Sequence, residues 1–161
     1  MTTWRAGACA LVISIAAAGC STTSDQEEAD QARCEDARIG AGVLGVVERR
    51  TCDIGPSSEC LEPDPRRIIR FYDRNAQVSD GSTDTGTLDP DAIEVASAES
   101  TVNGTYEVEL PLGATYYACD FVFDDTVSCS RPLQITDETP LLLVDYESGN
   151  GSLWYVRACD E

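Results

Sequence analysis

The chain of 161 residues contains no histidine and no lysine, so each of its 11 basic residues is an arginine. Imidazole is the most frequent general base in enzymes, and the lysine amine forms Schiff bases with carbonyl substrates. Their absence excludes Ser-His-Asp and Cys-His centres. A pair of carboxylates of the glycosidase type stays open, because the distance between two acids is not visible in a sequence. We expect a protein that is not an enzyme.

Positive charge is scarce overall. The 29 acidic residues outnumber the 11 arginines, which gives a formal charge of −18. A protein that binds nucleic acid needs a basic surface to neutralise phosphates. The sequence therefore predicts no nucleic-acid partner.

Long apolar segments are also absent, apart from residues 6–18, which are apolar except for Ser14. This segment is shorter than the roughly 20 residues of a membrane-spanning helix, and it follows a single positive charge at Arg5. The small residues Ala17, Ala18 and Gly19 end it, directly before Cys20. This pattern is typical of an export signal.

Ala17-Ala18-Gly19-Cys20 resembles the lipobox of bacterial lipoproteins, with Ala17 where leucine is common. The resemblance implies a signal peptide over residues 1–19 and attachment of lipid, palmitate included, to Cys20. The protein would then be held extracytoplasmically in the cell envelope by a lipid anchor in the membrane, on the outer membrane if the source is Gram-negative. A plain secretory signal and an uncleaved anchor are the alternatives.

The chain has eight cysteines, of which Cys9 lies in the predicted signal and Cys20 is the predicted lipid acceptor. An exported protein with six further cysteines is expected to form three disulfides. A structural zinc site is the competing interpretation, but the sequence has no C-x-x-C spacing and no histidine. We predict no cofactor.

Three pairings are predicted. Cys119 and Cys129 lie opposite each other if residues 114–136 fold into a hairpin around Asp124 and Asp125. The other pairs are Cys52 with Cys60, which are near in sequence, and Cys34 with Cys159, which remain and would join the two ends of the domain.

After Cys20, the residues up to Arg33 include no large apolar side chain. Such a segment cannot bury enough surface to become ordered. We predict a disordered acidic tether over 20–33 and one folded domain over 34–161.

Apolar residues in this domain alternate with polar ones, and no sustained helical pattern is present. Tyr106, Val108 and Leu110 share one face of a strand, and Asn103-Gly104 before it is a hairpin turn signal. The fold class is all-β: a single antiparallel β-sandwich of about seven strands, held by disulfides. The predicted strands are 41–48, 66–74, 92–98, 105–110, 114–123, 126–136, 140–146 and 152–158.

The segment Ser100 to Cys119 resembles the centre of the carboxypeptidase regulatory-like domains, which are transthyretin-like (prealbumin-like) β-sandwiches. The matching positions are Thr101, Gly104, Tyr106, Leu110, Pro111, Gly113 and Tyr116, and Gly42, Gly45 and Val47 resemble the first strand of that family. The resemblance implies a non-catalytic module that supports folding, adhesion or contacts with carbohydrate and protein. The cysteines and the loop 51–64 depart from it.

Two further patterns bear on ligands. The loop 79–91 carries Asp80, Asp84, Asp89 and Asp91, which are oxygen ligands suited to Ca²⁺ but lack the EF-hand order, so an acidic loop without metal is the favoured interpretation. Six arginines lie between residues 49 and 74. At strand spacing Arg66, Arg70 and Arg74 point the same way, and we expect them to pair with the chain's own acids rather than with an anionic partner.

The sequence thus predicts a non-catalytic, lipid-anchored cell-envelope protein whose β-sandwich is an interaction or structural module, with an envelope protein or glycan as partner. The alternative is an envelope lipoprotein that binds a glycan or Ca²⁺ through the loops 51–64 and 79–91.

Overall fold

The computed structural model describes residues 22–52, 60–79, 85–149 and 151–159. They form one helix and twelve strands. The helix is α1 (Thr22–Glu35), and the strands are β1 (Gly42–Arg50), β2 (Leu61–Pro63), β3 (Ile68–Tyr72), β4 (Gln77–Val78), β5 (Gly86–Leu88), β6 (Glu94–Glu99), β7 (Thr105–Glu109), β8 (Ala114–Phe123), β9 (Thr126–Cys129), β10 (Leu133–Ile135), β11 (Leu141–Ser148) and β12 (Leu153–Ala158). No helix in these ranges is long and apolar enough to cross a membrane.

The strands form two sheets. In the first sheet the order is β12, β11, β1, and the free edge of β1 pairs with β7 along its first half and with β2 along its last three residues. In the second sheet the order is β4, β5, β9, β8, β3, β6, with β10 beside the first residues of β8. Every described pair is antiparallel except β1 with β11, which is parallel.

The core lies between the two sheets, which makes the fold a β-sandwich. Alternate residues of each strand face inward because successive side chains of a strand point to opposite sides. The first sheet contributes Val43, Val47, Tyr106, Val108, Leu142, Val144 and Tyr146, and the second contributes Ile69, Phe71, Tyr116, Ala118, Leu133 and Ile135. The predicted all-β sandwich is confirmed, and so is the inward face of Tyr106, Val108 and Leu110.

The twelve strands are more numerous than the eight predicted ranges. The predicted strand 126–136 is divided into β9 and β10, because Pro132 has no N–H for the ladder and the register with β8 shifts between Cys129 and Leu133. The turn at Asn103-Gly104 exists, with Gly104 at a φ of 76°. It joins β6 of the second sheet to β7 of the first, however, and so crosses between sheets rather than closing a hairpin.

The inward face of β8 is the face opposite to Cys119. Tyr116, Ala118 and Asp120 face the main core, whereas Tyr117 and Cys119 face outward onto a smaller cluster with Tyr72 and Ala76. The loops before β4 and before β6 cover this cluster, so Cys119 is buried on the outer side of the sheet. These loops are not recognisable from the alternation of β8 itself.

The segment predicted to be a disordered tether is helical from Thr22 onward, which corrects the prediction for residues 22–33. Arg33 in the last turn complements the helix dipole. Gln26 donates to Asp30 at 3.0 Å and Gln31 to Glu35 at 3.0 Å, both at the i, i+4 spacing that stabilises helices. Composition alone missed these local interactions.

The three disulfides join Cys34 to Cys159, Cys52 to Cys60 and Cys119 to Cys129. They are the pairs predicted from the sequence. Cys119 and Cys129 are direct partners in the register of β8 and β9, as the turn at Asp124-Asp125 requires. Three disulfides indicate an oxidising, extracytoplasmic compartment.

Candidate functional site

Helix α1 lies against the outer face of the first sheet, along β11. Its first part shares a groove with Glu48 and Tyr155, and its last turn is joined to Cys159 through Cys34. Gln26 to Cys34 spans about 12 Å of helix, and Leu143 to Glu147 spans about 13 Å of strand. The helix and β11 therefore run side by side in opposite directions.

Four charged residues form a cluster between α1 and the sheet. Asp30 and Arg33 come from α1, Asp145 from β11 and Arg157 from β12. Arg33 donates to Asp145 at 2.7 and 3.0 Å and to Asp30 at 2.6 Å. Arg157 donates to Asp145 as well, and its Nε lies 3.1 Å from Asp30 Oδ2. Two carboxylates thus alternate with two guanidinium groups, and each group contacts both opposite charges.

Asp145 also accepts a backbone hydrogen bond where the ladder between β1 and β11 is interrupted. The register of β1 with β11 is interrupted between Leu44 and Val47. The Val46 N–H in this gap donates to Asp145 Oδ1 at 2.9 Å. The carboxylate therefore accepts hydrogen bonds from the backbone of β1 and from both arginines, which fixes its position.

The Arg33 guanidinium is partly buried. Burial lowers its pKa, but the carboxylates of Asp145 and Asp30 raise it by more, so its pKa lies above the ordinary arginine value. Arg33 therefore stays charged at every accessible pH. The permanent positive charge of Arg33 therefore holds α1 against the carboxylate of Asp145 on the sheet.

Glu48 of β1 lies beside this cluster. Burial raises the pKa of its carboxyl, and the negative charges of Asp145 and Glu147 raise it further, while Arg33 lowers it. The neighbouring Glu147 is buried and paired with Arg50. The outer face of the first sheet thus concentrates three carboxylates, and burial together with the other two charges disfavours the charged form of Glu48.

A second polar network lies inside the sandwich. Asp120, 1% exposed, accepts hydrogen bonds from Arg67 Nε at 2.8 Å and from Arg67 Nη2 at 2.5 Å. Tyr146 of the opposite sheet donates to the same carboxylate at 2.8 Å. Burial raises the pKa of the Tyr146 phenol, and the charge of Asp120 raises it further. Tyr146 is therefore a fixed hydrogen-bond donor that joins the two sheets.

Two grooves flank α1. One, of about 490 Å³, is lined by the last turn of α1 together with Leu44, Tyr106 and Glu107. The other, of about 550 Å³, is lined by Asp30, Cys34, Leu143 and the last residues of β12. Leu44 and Leu143 lie on the outer face of the sheet yet are only 4% and 1% exposed. The helix therefore covers two apolar side chains that would otherwise face solvent.

Some of the predicted ligand positions lie among the described residues and others do not. Cys20, Asp80 and Asp84 lie outside the described residues, as do residues 53–59 of the loop 51–64. Asp89 accepts the backbone N–H of Asp91 at 2.9 Å, which is a turn interaction. Within the described ranges no group of three acidic or cysteine side chains is placed to hold a metal ion.

The predicted row of arginines is broken. Arg66 occupies the turn before β3, with a φ of 62°. Arg70 pairs with Glu94 and stacks 4.8 Å from the ring centre of Phe121, and Arg74 pairs with Asp73. Pairing of Arg70 and Arg74 with the chain's own acids is therefore confirmed.

The roles of Asp120 and Asp145 were not predicted from the sequence. Each is a single carboxylate within an apolar strand, in Y-Y-A-C-D-F-V-F and in L-L-L-V-D-Y. Buried carboxylates require partners, so this pattern is the signal that could have identified them.

Comparison with protein-family models, with characterised proteins and with solved structures gave no match for this chain.

Proposed function

We propose that this protein is a non-catalytic, lipid-anchored component of the cell envelope, whose β-sandwich serves as an interaction or structural module. Two observations support this: the lipobox-like pattern ends at Cys20, and the folded structure begins at Thr22. Residues 1–19 act as the signal peptide, and the lipid on Cys20 holds the domain at the membrane. An acylated cysteine with three chains exceeds the two lipid signals that stable anchoring needs.

The non-catalytic role is supported by how the two buried carboxylates, Asp120 and Asp145, are hydrogen-bonded. Asp120 is saturated by Arg67 and Tyr146, and Asp145 by two arginines and a backbone N–H. A catalytic carboxylate must instead keep a lone pair or a proton available to the substrate. These groups stabilise the fold, which supports a binding or structural role.

The calcium or glycan alternative has less support. Asp89 is engaged in a turn, and its backbone N–H donates to Ala76 at 2.7 Å. We also propose that the domain is of the carboxypeptidase regulatory-like kind that its sequence resembles. The two-sheet fold and the turns at Gly104 and Gly113 support this likeness.

The proposal is tested with a Cys20→Ser variant and cell fractionation. The parent protein is expected in the membrane fraction and the variant in the soluble extracytoplasmic fraction. A Cys9→Ser variant is the matched control, because Cys9 lies in the segment that is removed. Equal distribution of parent and Cys20→Ser variant would contradict the lipid anchor. Equal melting temperatures with and without Ca²⁺ are expected, and a calcium-dependent increase would favour the alternative.

A further inference from the structure

Strand β7 forms an open edge of the first sheet, because among the described strands it pairs only with β1. At the start of this ladder Gly104 accepts the Val47 N–H at 2.8 Å. At its other end Leu110 donates its N–H to the Ala41 carbonyl at 3.2 Å. Residues of an antiparallel strand direct their backbone groups alternately to its two sides. The odd-numbered residues of β7 therefore direct their N–H and C=O groups away from β1.

Most of these outward backbone groups have no partner among the described residues. Thr105 uses its carbonyl to accept the Thr101 N–H at 2.8 Å. Glu107 and Glu109 make no hydrogen bond on this side, and their exposed carboxylates form no ion pair. The edge thus offers two N–H and two C=O groups to an added strand, with one carboxylate beside each pair.

The other sheet edges in the described part of the chain are short, bent or covered. Strands β2, β4 and β10 have only two or three residues. On β12 the Val156 carbonyl accepts a hydrogen bond from Arg131 at 2.6 Å. The ladder of β6 with β3 shifts its register between Phe71 and Tyr72. Short strands and bulges hinder the addition of a further strand, so β7 is the regular and open edge.

The groove of about 490 Å³ beside α1 runs past this edge. It extends from the last turn of α1, over Leu44, to the end of β6. Its charged lining residues outside the ion-pair cluster of α1 are three acids and one arginine: Asp36, Glu99, Glu107 and Arg38. None of these four side chains forms an ion pair with a described residue. The groove and the edge therefore attract positive charge.

We propose that the free edge of β7 binds an extended, basic segment of a partner protein, which adds to the first sheet as a further strand. This proposal rests on the role as an interaction module proposed above, and it names the chemistry of the partner. In strand addition, main-chain hydrogen bonds supply affinity and alternate side chains supply specificity.

The geometry of the edge determines the side-chain pattern of the added strand. A residue that exchanges backbone hydrogen bonds with Glu107 lies directly opposite it, on the same face of the sheet. A basic side chain at that position therefore meets the carboxylate, and its own N–H points to β7. The residues in between face inward, where Ala96 and Ala98 of β6 are only partly buried. The expected segment thus alternates basic residues with apolar ones.

A second copy of this chain fits the edge less well. Antiparallel pairing of β7 with β7 over the full strand places Glu107 opposite Glu107 of the second copy. Like charges that lie directly opposite each other destabilise a sheet. Each copy also carries a formal charge of −18, which opposes association. The acidic edge therefore favours a basic partner.

The probe is a fluorescent heptapeptide in which three lysines alternate with two valines between threonine ends, and fluorescence anisotropy measures its binding to the full chain. N-methylation of the lysines removes the N–H groups that face β7, whereas N-methylation of the valines removes those that face away. We expect the first change to weaken binding at least about tenfold and the second to leave it within about twofold.

The matched protein variants are Glu107→Lys at the edge and Asp124→Lys at the exposed hairpin turn. Both change the net charge equally. Glu107→Lys should weaken binding of the unmethylated peptide about tenfold, because attraction is replaced by repulsion at the contact, and Asp124→Lys by less than about twofold. Thermal denaturation of both variants verifies that they are folded.

Three results would overturn the proposal. Absence of binding is one, and equal binding of the two methylated peptides is another, because it would indicate attraction to net charge alone. The third is a dimer of the chain alone that Glu107→Pro dissociates by removing an outward N–H, which would assign the edge to a second copy. Cell fractionation of Cys20→Ser reports on the lipid anchor separately, so the anchor can stand when strand addition fails.

Discussion

Asp120 of β8 and Tyr146 of β11 join the two sheets through a hydrogen bond of 2.8 Å inside the sandwich. Arg67 approaches the same carboxylate from the end of the core and neutralises it. Because each sheet supplies one side of this contact, the network fixes how the sheets are aligned. The apolar residues around it supply most of the burial, which is not directional.

Replacing Asp120 by alanine should destabilise the domain by about 3 kcal/mol, because the partly buried guanidinium of Arg67 then loses its counter-charge. Urea denaturation of the oxidised protein measures the change. Asp124→Ala, at the exposed hairpin turn, is the control and should change stability by less than about 0.5 kcal/mol. Similar effects of the two substitutions would contradict a structural role for the network.

Arg33→Met should release α1 and leave the sandwich folded. The substitution removes hydrogen bonds to Asp145 and Asp30, and charge-assisted bonds of this kind contribute about 1.5 to 3 kcal/mol each. Hydrogen exchange should therefore become faster in residues 26–33 and stay unchanged in β3 and β8. Arg49→Met is the matched control, because Arg49 lies in an exposed pair 3.9 Å from Glu62. Unchanged exchange in α1 would show that the disulfide alone holds the helix.

Glu48→Gln should stabilise the domain at neutral pH. The pKa of Glu48 is raised above 4.5 by burial and by Asp145 and Glu147, so the folded state favours the protonated carboxyl. Its contribution is fully present below pH 4.5 and is lost as the pH rises through the folded pKa. The gain from glutamine should therefore appear at pH 7, at about 0.5 kcal/mol for a partly exposed group, and vanish in acid.

Glu109→Gln, on the exposed face of β7, is the control for net charge and should give no comparable gain. A Glu48→Gln variant that is less stable than the parent at pH 7 would mean that the charged form of Glu48 makes a favourable contact.

Much of the fold was predictable because it follows from local alternation. The inward face of β7, the hairpin at Asp124-Asp125 and the Cys119 pairing depend on period two and on one turn. The assignment of strands to sheets was not predictable, because β6 and β7 are consecutive in sequence but belong to different sheets. That choice depends on which edge of β1 is free.

The candidate site was harder to predict for a different reason. Arg33 and Asp145 are 112 residues apart, so no sequence window contains both. The composition of α1 predicts disorder when its residues are considered alone. A polar helix needs tertiary partners to be stable. The ion pairs and the Cys34–Cys159 disulfide supply these partners, so the segment is helical rather than disordered.

Removing the disulfide between Cys34 and Cys159 should cost more stability than removing either of the others. Its sequence separation is 125, against 8 for Cys52 with Cys60. In the chain-entropy model the corresponding losses are about 5 and about 2.5 kcal/mol. Double serine variants compared by urea denaturation measure both. A larger loss for the Cys52 pair would mean that its loop is coupled to the core more strongly than chain entropy predicts.

The intact mass of the mature protein, isolated from membranes, tests the central claim most directly. A lipid-anchored envelope protein should begin at Cys20, and its N-terminal peptide should carry the mass of the attached acyl chains. The Cys20→Ser variant should lack this increment. A mature chain that begins at another residue, or at Cys20 without added mass, would contradict the account.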